Sequence, residues 1–82
     1  LSPRYVAGKW IRHATQSLRA GIQAVGDAPT DEEAQALQRA RRLLNVAKDE
    51  LEAGHPGRSV EAAARSVRLS AGVLRNRSTD PG

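Results

Sequence analysis

The sequence predicts an all-α protein, a three-helix up-down-up antiparallel bundle with helices over about residues 4–25, 31–53 and 59–76. Apolar residues recur every three or four positions in three separate segments, which is the period of an amphipathic α-helix. Residues that begin or end helices bound each segment, and both connections are short enough to make successive helices antiparallel neighbours. We expect a single helical domain over residues 1–76 and a flexible polar tail over 77–82.

The first helix is expected to start after Pro3 and to end at Gly26, since glycine readily adopts the left-handed conformation found after helix C-termini. Its apolar stripe comprises Val6, Trp10, Ala14, Leu18, Ile22 and Val25. The stripe predicts that one face of this helix contacts the rest of the bundle.

The second helix is expected to begin at "TDEE", where Thr30 can cap the backbone while Glu33 reaches back to complete a capping box. Its apolar seam alternates steps of three and four residues, as in a coiled coil, and comprises Leu37, Ala40, Leu44, Ala47 and Leu51. Gly54 is expected to end this helix.

The third helix is expected to begin at Ser59, a favourable N-cap residue, and to run to about Asn76. The corner before it, "GHPG", has turn residues on both sides of His55, whose side chain we expect to be solvated. One apolar stripe on this helix comprises Val60, Ala64, Val67, Ala71 and Leu74, and a second, on a neighbouring face, comprises Ala62, Leu69 and Val73. The apolar arc is wider than one neighbouring helix would cover. We therefore expect the second stripe to face a protein partner or a second copy of the chain.

Composition limits the classes of protein to consider. The chain has 82 residues and no cysteine, so neither a disulfide framework nor a thiolate metal site is available. A reducing, cytoplasmic location is the default expectation. No apolar run approaches the roughly 18 residues that a membrane span requires, and we expect no membrane partner.

The residues that usually carry chemistry are sparse. The only two histidines, His13 and His55, stand far apart in the sequence, and no glycine cluster precedes a helix with the spacing of a phosphate-binding loop. No nucleophile–base pair or metal-ligand set can be assembled from these spacings. We expect no enzyme activity, no cofactor and no metal site.

The formal net charge of +4 makes an anionic partner plausible, including nucleic acid. Two basic stripes follow helical spacing, one on the first helix with Lys9, Arg12 and Arg19, the other on the third helix with Arg58, Arg65 and Arg68. If both stripes pointed the same way, they would form a phosphate-tracking surface. Otherwise each is an ordinary solvated face, with Glu61 pairing with Arg65.

Residues 40–75, "ARRLLNVAKDELEAGHPGRSVEAAARSVRLSAGVLR", resemble the HEPN-type helical hairpin in the leucine-rich helix, the "LEAGHP" corner and the alanine-rich helix ending "AGVL". The spaced Arg and His of the RNA-cleaving members are absent. The resemblance therefore implies a non-catalytic helical interaction domain.

These observations predict a non-catalytic helical protein-interaction or dimerisation module that uses Ala62, Leu69 and Val73. The alternative is a basic accessory domain that binds RNA or DNA through phosphate contacts.

Overall fold

A computed structural model describes residues 1–79 and confirms an all-α three-helix bundle. Helix α1 spans Pro3–Val25, α2 spans Asp31–Glu52 and α3 spans Pro56–Thr79. All three helices contact one another, but α3 packs extensively on both α1 and α2, whereas α1 and α2 contact each other less. This central position explains the wide apolar arc of α3, because that helix has two neighbours to contact.

Polar side chains cap the first two helices at their N-termini. The backbone N–H of Tyr5 donates to Ser2 Oγ at 3.1 Å at the start of α1. At the start of α2 the predicted capping box is confirmed, with Glu33 N–H donating to Thr30 Oγ1 at 3.1 Å and Thr30 N–H donating to Glu33 Oε1 at 2.9 Å. These bonds satisfy backbone donors that the helix itself leaves without partners.

The corner between α2 and α3 is a Schellman motif centred on Gly54, which has a φ of 87°. The N–H of His55 donates to the carbonyl of Glu50 at 2.8 Å, and the N–H of Gly54 donates to that of Leu51 at 3.1 Å. Helix α3 begins directly afterwards, at Pro56, which suits a first helical turn because it lacks an N–H.

The prediction that Ser59 is the N-cap of the third helix is therefore wrong. Ser59 lies within the first turns of α3, is fully buried, and donates its hydroxyl hydrogen to the carbonyl oxygen of Ala47 on α2 at 2.7 Å. The backbone N–H of Ser59 donates to the carbonyl of His55, so that His55 precedes the helix at the N-cap position. The backbone carbonyl of His55 thus accepts the first hydrogen bond of α3.

The expected boundary between domain and tail is also corrected. Residues 77–79 are helical, and Arg77 folds back onto the start of α2, where its guanidinium donates to both carboxylate oxygens of Glu33 at 2.5 and 2.7 Å. A bidentate pair between two helix ends fixes the last turn of α3. The remaining positions of the expected tail, 80–82, lie outside the described residues.

The interior is built mainly from small side chains. Fully buried positions include Ala14, Ala40, Ala63, Ser66 and Ser70. Because small residues let helix backbones approach closely, Ser66 Oγ reaches the carbonyl oxygen of Ala40 on α2 at 2.7 Å. Because the closely packed helices leave little space between them, several larger aliphatic side chains remain partly exposed at the edges of the helix interfaces.

Candidate protein-binding groove between α2 and α3

The three residues predicted to face a partner do not share one exposed surface. Ala62 and Val73 are only 6% and 5% exposed and belong to the core between the helices. Their expected role as a docking surface is therefore corrected, because the neighbours of the central helix α3 already cover them. Leu69 is half-buried and packs at the edge of this core.

Leu69 lies in an open groove of about 440 Å³ between α2 and α3. Leu43 of α2 lines the same groove, and three arginines surround the two leucines: Arg39 from α2, and Arg65 and Arg68 from α3. Leu43 is half-buried, whereas all three arginines are exposed. The arrangement is a narrow apolar floor with a cationic rim on each helix.

The groove continues towards the start of α2 and the end of α3. A second depression shares Arg68 and Leu69 with the first, and Ala36, Gly72 and Glu32 extend its lining. A Cβ atom placed on Gly72 would have only Arg75 Nη2 within 4 Å, at 3.9 Å. The floor beside Leu69 is therefore open to an incoming side chain.

The rim arginines have no carboxylate partner within residues 1–79. The ion pairs formed there join Arg58 to Glu50 and Arg77 to Glu33, and the Nδ1 atom of His55 is in hydrogen-bond contact with Glu50. The expected pairing of Glu61 with Arg65 is not among them. Because a guanidinium group is more weakly hydrated than an ammonium group, these exposed arginines are well placed to bind anions.

Glu33, at the end of the groove, has its negative charge balanced by the guanidinium of Arg77. Hydrogen bonds lower the pKa of Glu33 from 4.5 to about 2. The largest effect comes from the Arg77 guanidinium, and the next largest from the backbone N–H of Thr30. The carboxylate therefore remains ionised at neutral pH and is bound to Arg77. It does not supply a counter-charge to the rim arginines, with none of which it forms an ion pair.

The six basic residues predicted to form a phosphate-tracking surface lie on two helices and have different neighbours. Arg65 and Arg68 line the groove, while Arg58 is 4.0 Å from Glu50 at the α2–α3 corner. On α1, Lys9 Nζ lies 5.8 Å from the centre of the Tyr5 ring, and Arg12 and Arg19 are exposed.

Arg39 and Leu43 were absent from the predicted site, although the sequence contains a signal for them. Ala36, Arg39, Leu43 and Val46 follow steps of three, four and three, which place them on one face of α2 next to the apolar seam. Val46, at the end of this row, is 47% exposed. Only packing against α3 shows that the row borders a groove.

Residues 1–79 contain no group of three or more His, Cys, Asp or Glu side chains that could hold a metal ion. None of the helices described is long and apolar enough to cross a membrane.

No protein-family model, curated protein or solved structure matches this chain. The resemblance of residues 40–75 to a HEPN-type hairpin stays a prediction.

Proposed function

We propose that this protein is a non-catalytic helical interaction module that binds a partner helix in the groove between α2 and α3. The observation that carries the proposal is the pair of half-buried leucines, Leu43 and Leu69, on the floor of that groove. The fully buried positions of the helix interfaces are mostly alanine and serine, whereas these two leucines remain partly exposed. Apolar side chains that face an open groove are typical of sites that receive the apolar face of a helix.

The dimensions of the groove suit such a ligand. Its lining extends along α2 from Glu32 to Leu43, a rise of about 16 Å or three helical turns. Covering the remaining exposed surface of the two leucines stabilises a complex by on the order of 2 kcal/mol. That is less than a stable complex requires, so contacts along the rim must contribute as well.

The proposal is tested by selecting helical peptides against the purified protein from a displayed library. We expect enriched peptides that lose their binding when Leu69→Ser removes half of the apolar floor. Ile22→Ser is the matched control, since Ile22 is 39% exposed and lies on α1, outside this groove. Circular dichroism verifies that both variants keep their helices.

Two results would contradict the proposed function. The first is the absence of any enriched helical peptide. The second is a set of peptides whose affinity falls equally in the Leu69→Ser and Ile22→Ser variants, because binding would then not depend on the groove.

A further inference from the structure

We propose that the occupant of the groove is an acidic amphipathic helix of another protein, and not a second copy of this chain. This inference rests on the proposed function and adds the chemistry of the partner. It depends on the charges around the leucine floor and on their distribution over both sides of the groove.

The rim is positive on both sides. Arg39 projects from α2, while Arg65 and Arg68 project from α3, and none of them forms an ion pair within residues 1–79. Among the nearby acidic residues, Glu33 is bound to Arg77, while Glu32, which lines the far end of the groove, and Glu61 form no ion pair in that part of the chain. Within residues 1–79 no carboxylate is ion-paired with the rim arginines, and a partner that carries carboxylates could pair with them.

The planar guanidinium groups of the rim have the geometry to bind carboxylates. Each arginine can donate two parallel hydrogen bonds to one carboxylate. A helix that lays leucine-like side chains over Leu43 and Leu69 would present residues on both flanks to the two rims. Its expected pattern is apolar residues at steps of three and four, with Asp or Glu on each side of the stripe.

A symmetric dimer of this chain would not supply carboxylates to the rim arginines. In a two-fold dimer the same surface patch meets itself, so the three rim arginines of one copy would face those of the other. Like charges brought together at an interface disfavour association. We therefore expect the isolated protein to be monomeric.

Nucleic acid fits the groove less well than an acidic helix. Phosphates would be attracted to the arginines, but they make no use of an apolar floor. The groove lining also contains no aromatic ring on which a base could stack. An acidic helix uses both the floor and the rim.

The test uses three synthetic peptides of about 18 residues, long enough to form a helix when bound. They share one leucine stripe with steps of three and four, and their flanking positions are all Glu, all Gln or all Lys. Binding to the full chain is measured by fluorescence anisotropy at low and high salt. We expect the Glu peptide to bind most tightly, the Lys peptide least, and salt to weaken the Glu peptide most.

Charge reversal on the protein gives the matched comparison. Arg65→Glu/Arg68→Glu should weaken binding of the Glu peptide by about tenfold, since the two ion pairs that these arginines would form together contribute about 1.4 kcal/mol. The same double variant should bind the Lys peptide better than the wild type does. Arg12→Glu/Arg19→Glu makes the same change of charge on α1 and should leave both affinities unchanged.

The outcomes separate this inference from the proposed function. If all three peptides bind equally and only Leu69→Ser weakens them, the groove binds helices but the acidic partner is wrong. If the Glu peptide does not bind, the inference is also wrong. It is overturned as well by a dimer in sedimentation velocity that Leu69→Ser dissociates, or by an RNA duplex that displaces the Glu peptide through Arg65 and Arg68.

Discussion

The hydroxyl of Ser66 on α3 donates a hydrogen bond to the backbone carbonyl of Ala40 on α2, at 2.7 Å and fully buried. One α-helix thus bonds directly to the backbone of another, which requires small side chains at the contact. Ser59 makes the equivalent bond to Ala47, seven residues along each helix. The two bonds fix the register between α2 and α3, and therefore the shape of the groove that lies at the edge of this interface.

Replacing Ser66 with alanine should remove one of these bonds without leaving a buried donor. We expect the free energy of unfolding to fall by about 1 kcal/mol, the usual net contribution of a buried hydrogen bond. Ser66→Val should lower it further, by about 2 kcal/mol, because added methyl groups would force the close helices apart. Urea denaturation of each variant measures these changes.

The control for these variants is Ser78→Ala, at an exposed position where the hydroxyl bonds only within its own helix, to the carbonyl of Arg75. Its stability should stay close to that of the wild type. A Ser66→Val protein as stable as Ser66→Ala would show that the two helices do not approach as closely as the Ser66–Ala40 distance indicates.

The two glycines within α1 should respond differently to alanine. Gly21 is buried, and a Cβ there would lie 2.8 Å from Leu37 Cδ2, whereas at Gly8 the nearest atom is Arg12 Nη1 at 3.6 Å. Gly8→Ala should stabilise the fold by about 0.5–1 kcal/mol through helix propensity. Gly21→Ala gains the same propensity but must displace the buried end of Leu37.

We therefore expect Gly21→Ala to be less stable than Gly8→Ala by about 1 kcal/mol, the penalty of a displaced core rotamer. Thermal or urea denaturation of the two single variants provides the comparison. Equal stabilisation by both substitutions would mean that Leu37 moves without loss, and that the contact between α1 and α2 is loosely packed.

The helices could be predicted from the sequence because their signals are local. The capping box at Thr30 and Glu33 and the glycines that end α1 and α2 act over a few residues, and the structure confirms them. The N-cap prediction for Ser59 is wrong for the same reason. A serine before an apolar run favours an N-cap locally, and only the carbonyl of Ala47, twelve positions earlier, shows its tertiary role.

The groove was predictable only in part. The wide apolar arc of α3 correctly indicates that this helix has more than one neighbour, but α1 and α2 are those neighbours, so Ala62 and Val73 became core. Leu69 alone retained partial exposure. The tail prediction includes Arg77 because the stretch "NRSTDPG" is polar, whereas the partner that holds Arg77 on the bundle, Glu33, lies forty-four positions away.

The ion pair between Arg77 and Glu33 predicts a specific dependence of stability on pH. The pKa of Glu33 is lowered from 4.5 to about 2, chiefly by the Arg77 side chain. Since the folded protein binds this proton less readily than the unfolded chain, the contribution is complete above pH 4.5 and is lost as the pH falls to about 2. Glu33→Gln should flatten the stability profile across that interval.

The measurement is urea denaturation at several pH values within the interval, with Glu61→Gln as the control. Glu61 is an exposed carboxylate on α3 that forms no ion pair within residues 1–79. Its variant should keep the steep profile of the wild type. Parallel profiles for the two variants would indicate that Arg77 does not hold Glu33 in solution.

The alternative function, nucleic-acid binding, has its own test, because the six basic residues predicted for it lie on two helices, α1 and α3. We expect an RNA or DNA duplex to bind weakly at about 50 mM salt and not measurably at about 200 mM, as a few phosphate contacts lose affinity steeply over that range. The reason is that these basic residues have different surroundings: Arg58 already neighbours Glu50, and Arg65 and Arg68 border the leucine floor.

Fluorescence anisotropy with labelled duplexes measures the affinity at each salt concentration, and Lys9→Glu/Arg12→Glu/Arg19→Glu tests the α1 stripe by itself. Binding that persists at the higher salt and is lost in both this variant and Arg65→Glu/Arg68→Glu would mean that the two stripes act on one phosphate backbone. The protein would then be a nucleic-acid-binding domain, and the groove would be secondary to that function.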